Sequence, residues 1–386
     1  MSTPGRGADD AAWTPYRLLR PLLFRLDPER AHGLALGTLN AVSRVGPLRA
    51  ALAATAPVFD PRLQVRALGR TFPHPVGLAA GMDKDGTALP AWTALGFGHV
   101  EVGTITAQPQ PGNPRPRVFR LPADRAIVNR IGFASEGAAG VAARLRAWRQ
   151  VGAWPAVPIG VNLGKSRAAA LDEATEDYLA SLRTLASFAD YLVVNVSSPN
   201  TPQLRALQDG ERLEALVRTL THAAEGVPLL VKLAPDLSDA ALREATRRVE
   251  AAGAAGVIVV NTTVARAGLR RDPGEAGGLS GRPLAPRARS ALRVVRAATR
   301  LPVVSVGGID GPEEAVRRLE AGADLLQVYT GMVYEGPGLV RRIVRGLGAA
   351  LEARGLPDLA SLRSAERPVG ALRRDATGSL PASGTR

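Results

Sequence analysis

Eight short aliphatic runs recur along the chain, with helical spacing between them. They are 76–81 (VGLAAG), 99–106 (HVEVGTIT), 158–164 (PIGVNLG), 191–200 (YLVVNVSSPN), 228–235 (PLLVKLAP), 256–263 (GVIVVNTT), 302–309 (PVVSVGGI) and 325–331 (LLQVYTG). Most are continuously apolar rather than alternating, the pattern of parallel strands covered on both faces. Amphipathic stretches at 174–188, 210–225, 238–252, 311–321 and 338–353 supply the helices. Ser238 is placed to cap one of them and Pro312 to open another. Eight such units predict an α/β fold, a (β/α)8 barrel with a small N-terminal helical extension. A doubly wound open sheet uses the same alternation. It fits less well, because no GxGxxG follows the first strand.

Composition narrows the function. With no cysteine, disulfides, thiolate metal sites and a Cys nucleophile are excluded. The 41 Gly and 30 Pro in 386 residues fall short of the roughly 25–30% share that marks low-complexity chains. No apolar run reaches the length of a membrane-spanning helix. Asp9 and Asp10 and the lack of an apolar segment near them argue against a leader peptide. The net charge of +14 invites a nucleic-acid reading, but the basic residues are scattered and aromatics make up only 4%. Base-stacking platforms therefore cannot be built, and no nucleic-acid partner is expected. Lysine occurs only at Lys84, Lys165 and Lys232 in a chain that otherwise uses arginine, and the two cations are not interchangeable.

Three regions are expected. Residues 1–56 hold two helices, one with Tyr16, Leu18, Leu19, Leu22, Leu23 and Leu26 and one over about 29–45. Their apolar faces and basic flanks suit a membrane surface or a hydrophobic ligand, or simple packing on the barrel. Residues 57–356 form the barrel, with a short hairpin at 62–75 and an inserted hairpin at 107–133 over its mouth. Residues 357–386 lack periodicity and read as a disordered tail.

Function in such a barrel sits at the C-terminal strand ends. Of seven asparagines, Asn162, Asn195, Asn200 and Asn261 fall at strand ends, and Asn129 closes the inserted hairpin. Converging amides suit a flat, amide-bearing ligand. Backbone N–H groups near Gly307, Gly308, Tyr329 and Thr330 are placed to cradle a phosphate. Lys84 and Lys232 point to Schiff-base chemistry, an anionic cofactor or a buried ion pair. Ser198 lacks a GxSxG elbow, and none of the four histidines falls on the mouth loops, which argues against a Ser–His–Asp hydrolase.

The ordered motifs YRLLRPLLFRLDPERAH, AAGMDKDG, VEVGTITAQPQPGNPRPRVFRL, NRIGF, NVSSPNTPQLR, KLAPD, VNTT, GGLSGRPL, VGGI and VYTG run from about residue 16 to 353. By them the chain resembles the class 2 dihydroorotate dehydrogenases, quinone-linked flavoenzymes of pyrimidine synthesis. The resemblance implies one FMN per chain, contacted by Ala80, Gly81, Met82, Asp83, Lys84, Thr104, Asn162, Asn195, Lys232, Val260, Gly281, Gly308, Tyr329 and Thr330. It places dihydroorotate or orotate among Lys84, Asn129, Arg130, Ile131, Gly132, Phe133, Asn195, Asn200, Asn261 and Thr262. Ser198 matches the catalytic base, which takes a proton from ring carbon 5 while a hydride leaves ring carbon 6 for the flavin. Thr201 and Phe133 match positions that shape a proton relay, and His32 one near the quinone. Class 1 enzymes carry Cys at the position of Ser198, so they are excluded.

The resemblance further implies a membrane quinone, ubiquinone or menaquinone, reached through the N-terminal helices. It implies a monomer peripheral to the cytoplasmic face of a bacterial cell membrane, and no metal. Val264 to Gly277 departs from the family pattern, and Met82 stands where Leu or Phe is common. A Schiff-base lyase on Lys84 or Lys232 and a non-catalytic ligand-binding barrel are the rival classes; both would be colourless.

Overall fold

The computed structural model describes residues 14–201 and 203–364. The readings of 1–13 as free of a leader and of 365–386 as disordered lie outside the described residues.

Three helices come first: α1 (Thr14–Leu23), α2 (Pro28–Arg44) and α3 (Gly46–Ala53). Asp27 caps α2 by accepting from the Glu29 and Arg30 N–H groups, with Pro28 in the first turn. A two-stranded ribbon follows, β1 (Val65–Ala67) against β2 (Arg70–Phe72), the expected short hairpin. The first barrel strand is β3 (Val76–Leu78), leading to α4 (Leu89–Ala94) and β4 (His99–Ile105). The insertion then forms β5 (Val118–Leu121) and β6 (Ala126–Asn129). The barrel resumes with α5 (Gly137–Gln150), β7 (Ile159–Leu163), α6 (Ala174–Leu185), β8 (Tyr191–Asn195), α7 (Gly210–Ala223), β9 (Leu229–Leu233), α8 (Asp239–Ala251) and β10 (Gly256–Val259). Next come β11 (Gly278–Gly281), α9 (Ala285–Ala298), β12 (Val303–Val306), α10 (Pro312–Glu320) and β13 (Leu325–Val328). The described chain closes with α11 (Thr330–Glu335), α12 (Leu339–Arg354) and α13 (Leu359–Ser364).

Eight strands, β3-β4-β7-β8-β9-β10-β12-β13, close into one parallel barrel, the (β/α)8 architecture expected from the eight runs. Ser238 and Pro312 open their helices as read, and the Ser238 Oγ accepts from the Ala241 N–H at 3.2 Å. The inserted hairpin gains a third strand: β11 pairs antiparallel with β6, tying the loop after β10 to the loop after β4 above the mouth.

The opposite end of the barrel is plugged. A Cβ on Gly77 would stand 2.1 Å from the His99 ring, and one on Gly160 would stand 2.2 Å from the Tyr191 ring. Glycine at both positions lets two large rings fill the floor, which leaves the C-terminal strand ends as the open face.

Two expectations need correction. The N-terminal region holds three helices rather than two, because Val45 breaks the helix in an extended conformation and Pro47 restarts it. The tail does not become irregular at 357: Leu359 and Leu362, one turn apart, are buried in the main core, and Arg363 pairs with Asp324.

Candidate active site

The strand ends deliver the expected side chains to one cavity. Ala80, Gly81 and Lys84 follow β3, Thr104 lies on β4, Lys232 on β9, and Asn195 ends β8. Ser198 and Asn200 lie in the loop after β8, and Val260, Asn261 and Thr262 follow β10. Gly281, Gly308, Tyr329 and Thr330 close the wall after β11, β12 and β13. The insertion contributes Asn129, Ile131, Gly132 and Phe133 as a roof.

The amides are held by one another. Asn195 Nδ2 donates to Thr104 Oγ1 at 2.9 Å, and Thr104 Oγ1 donates to Asn162 Oδ1 at 2.6 Å. Asn261 Nδ2 donates to Asn195 Oδ1 at 3.2 Å and to Ser197 Oγ at 3.0 Å. The buried Tyr178 hydroxyl donates to the Asn195 carbonyl at 2.9 Å. Asn200 Nδ2 donates to the Asn129 carbonyl at 3.1 Å, joining roof to wall. Asn195, Asn200 and Asn261 are thereby fixed on the cavity wall, with Asn162 tied behind them.

Ser198 is nearly buried and its Oγ accepts from the Asn200 N–H at 3.2 Å. Among the described residues no histidine stands beside it: His74 and His99 are buried at the barrel floor, His222 is exposed on α7, and His32 faces a second cavity. Thr201 Oγ1 is buried and unpaired among the described residues.

Two lysines carry the charge. Burial lowers the ammonium pKa of Lys232, and Glu101 partly restores it from 3.9 Å. Burial also lowers Lys84, with Asp85 opposing. Glu101, fully buried inside the barrel, accepts from Asn162 Nδ2 at 2.8 Å and from Gln327 Nε2 at 2.6 Å. Neither Glu101 nor Gln327 was expected at the site. A lone carboxylate within the apolar run HVEVGTI was the available signal, since a buried charge needs partners.

Four expected residues stand off the cavity wall. Asn162 lies behind Thr104, its amide spent on Thr104 and Glu101. The buried Asp83 carboxylate accepts from the Thr87 and Ala88 N–H groups and from Trp92 Nε1, anchoring the loop after β3. Burial raises its pKa. Met82 faces the second cavity. Arg130 turns outward to Glu275 at 2.6 Å and stacks over Phe119.

That second cavity lies between α1, α2 and the barrel, lined by Phe24, Leu36, Leu39, Trp92, Met332 and Val333 among others. His32 borders it with its pKa lowered to about 4, chiefly by burial and then by the Lys84 charge. The two cavities share Lys84, Val118, Ile127, Ile131 and Tyr329 as walls. Glu29 on α2 joins the helices to the insertion through Arg117, with contacts of 2.9–3.1 Å.

Residues 62–351 match the family described as dihydroorotate dehydrogenase. A protein of Thermus thermophilus named dihydroorotate dehydrogenase (quinone) is 54% identical over 345 residues, covering 89% of this chain and 99% of that one. One of Chloroflexus aurantiacus with the same name is 51% identical, covering 85% and 94%. A crystal structure of the Eimeria tenella enzyme in complex with ferulenol superposes with a TM-score of 0.80 at 35% identity, covering 89% of this chain and 96% of that one. With the fold, the polar mouth and the apolar cavity in agreement with these matches, the chain belongs to the dihydroorotate dehydrogenase family, in its quinone-linked class.

Proposed function

We propose that this protein oxidises dihydroorotate to orotate in pyrimidine biosynthesis and passes the electrons through FMN to a membrane quinone. The observation that carries this reading is the pair of cavities, one polar and one apolar, separated by shared walls. Enzymes of the family are flavin-dependent, and the residues present fit FMN. Gly281, Gly307 and Gly308 line the mouth with positive φ. A Cβ on Gly308 would meet Ala285 backbone atoms at 2.7 Å, and one on Gly281 would meet the Arg125 carbonyl at 2.4 Å. Backbone therefore meets the ligand directly there, as a phosphate cradle needs. Gln327 Oε1 is buried and unpaired among the described residues, an acceptor available to a polar heterocycle.

FMN held there supplies the acceptor for the hydride that leaves ring carbon 6. The chain supplies the rest. Asn129, Asn195, Asn200 and Asn261 fix the flat substrate by its amide edges and carboxylate. Ser198 Oγ takes the proton from ring carbon 5. Its own hydroxyl proton leaves in the same step through a water relay to solvent, which Thr201 Oγ1, buried and without a partner among the described residues, helps to shape. Lys232 is placed to provide positive charge in the cavity, and Glu101, 3.9 Å away, opposes the loss of that charge on burial. Lys84 stands at the boundary of the two cavities.

Residues 1–56 act as the quinone entrance. Leu18, Leu19, Leu22, Leu34 and Leu48 are exposed on α1–α3, beside the exposed Arg25 and Arg30. No helix among the described residues is long and apolar enough to cross a membrane. The protein acts as a monomer lying on the cytoplasmic face of the cell membrane, its cap in the headgroup region. Ubiquinone and menaquinone are the acceptors to try. The purified protein should be yellow, bleach when dihydroorotate is added without oxygen, and regain colour with quinone. A colourless protein, or a flavin that dihydroorotate leaves oxidised, overturns the proposal.

A further inference from the structure

The largest fully buried side chain is a charged one, Arg318 on α10, with no exposed surface. The mechanism above does not use it. Its Nε donates to Glu314 at 2.7 Å, its Nη1 to Ser305 Oγ at 2.9 Å, and its Nη2 to the carbonyls of Gly307 at 2.6 Å and Ala285 at 3.2 Å. Ser305 lies on β12, Gly307 follows that strand, and Ala285 opens α9. One guanidinium thus joins every element that backs the glycine turn.

Pinning the Gly307 carbonyl has a consequence on the cavity side. In a trans peptide the C=O and the following N–H point in opposite directions. With the Gly307 oxygen drawn to Arg318, the Gly308 N–H is turned away from it. Gly308 lines the mouth cavity, and its N–H makes no hydrogen bond among the described residues. A cation on the carbonyl also polarises the peptide and strengthens that donor.

The charge is not cancelled locally. Glu314 is shared with Arg289 and Arg317 as well as Arg318, three cations to one carboxylate. The acid of the turn itself, Asp310, is taken by Arg282 at 2.8 Å. Arginine keeps its charge even when buried.

We propose that Arg318 is a positioning residue for the cofactor's phosphate: it holds the Gly307–Gly308 peptide with its N–H toward the phosphate and lends the turn a positive charge from behind. The proposal rests on the FMN reading.

The test uses the full-length protein stripped of flavin, titrated with FMN and with riboflavin, which lacks the phosphate. Arg318→Met should weaken FMN by about 10–100-fold, the loss of one charge-assisted hydrogen bond, and leave riboflavin within about threefold. Arg318→Lys should keep FMN within about tenfold of wild type. Glu314→Gln removes the counter-charge and should tighten FMN by about threefold with riboflavin unchanged, a gain that a damaged fold does not produce. Equal losses of both ligands in Arg318→Met, or of neither, overturn the proposal while leaving the FMN reading intact. If Arg318→Met does not fold, Glu314→Gln decides: looser FMN, an unchanged FMN affinity, or equal shifts of both ligands, overturns it. A wild-type protein that holds no FMN overturns the FMN reading, and the proposal with it.

Discussion

The barrel mouth and the cavity under the helical cap share five wall residues, yet they are built on opposite principles. The mouth is a set of amides, hydroxyls and two lysines whose positions are fixed by mutual hydrogen bonds, so each member depends on its neighbours. The cap cavity is lined mainly by aliphatic and aromatic side chains, and its directional contacts lie at the rim, where Glu29 pairs with Arg117, Arg20 donates to the Tyr334 carbonyl and Arg120 donates to the Leu23 and Leu26 carbonyls. A network of the first kind fails when one atom is removed. A surface of the second kind tolerates single changes and fails when the element that carries it is lost.

The largest expected effect separates the two halves outright. Deleting residues 1–56 should reduce quinone-dependent reoxidation to background while flavin binding and bleaching by dihydroorotate persist. Undiminished quinone turnover in the truncated protein would show that the electrons leave by another face. Next in size, Ser198→Ala should slow bleaching by about 10²–10⁴-fold, the range for losing a positioned base. Orotate affinity and quinone reoxidation should stay near wild type. Normal bleaching in this variant would remove Ser198 from the base role, and a matching loss in reoxidation would mean that the two chambers are not separable.

The same contrast governs what could be read from residues. The eight strands were legible because burial on both faces leaves continuous apolar runs, and four of the five strand-end or hairpin asparagines do line the mouth. Asn162 lies one layer deeper, behind Thr104, because a strand-end position does not tell whether a side chain lines the cavity or the layer beneath it. Glu101 sits in that lower layer and was overlooked for the converse reason, as one acid inside a strand. The strand at Gly278–Gly281 has no β-forming residue except Leu279, and only its register against β6 makes it a strand. The cap helices showed their apolar faces but not their partner. An apolar stripe reads the same against a barrel, a lipid or a quinone.

Acid should bear on the two regions together. Burial holds His32 and His74 at about 4 and His99 at about 3, below the ordinary value near 6.5. Below about pH 6.5 the unfolded chain binds protons on these rings that the folded chain refuses, so stability falls as pH falls toward 4. Each ring contributes about 1.4 kcal/mol per pH unit in that window. Urea midpoints at pH 7 and pH 5 measure the slope. His32→Leu should remove the cap's share and leave the floor's, carried by His74 and His99. A stability flat between those pH values would mean the rings are not buried in the neutral form.

The smallest effect on the fold is expected where the cap meets solvent, and it sharpens the contrast most directly. Leu18 is 74% exposed and Leu22 57% exposed, one helical turn apart on α1, so changing both to serine removes little buried surface. Stability should move by no more than about 0.5 kcal/mol per site. The same change removes two side chains that would each gain about 1.5–3 kcal/mol on entering an apolar phase. Flotation with anionic liposomes should therefore weaken by at least about tenfold. Reduction of a short-chain, water-soluble quinone should be unchanged, because neither leucine lines the cavity. If flotation is unaffected, the leucines are not the membrane face. If soluble-quinone reduction falls with it, the outer surface of α1 belongs to the tunnel and the boundary between cap and cavity must be redrawn.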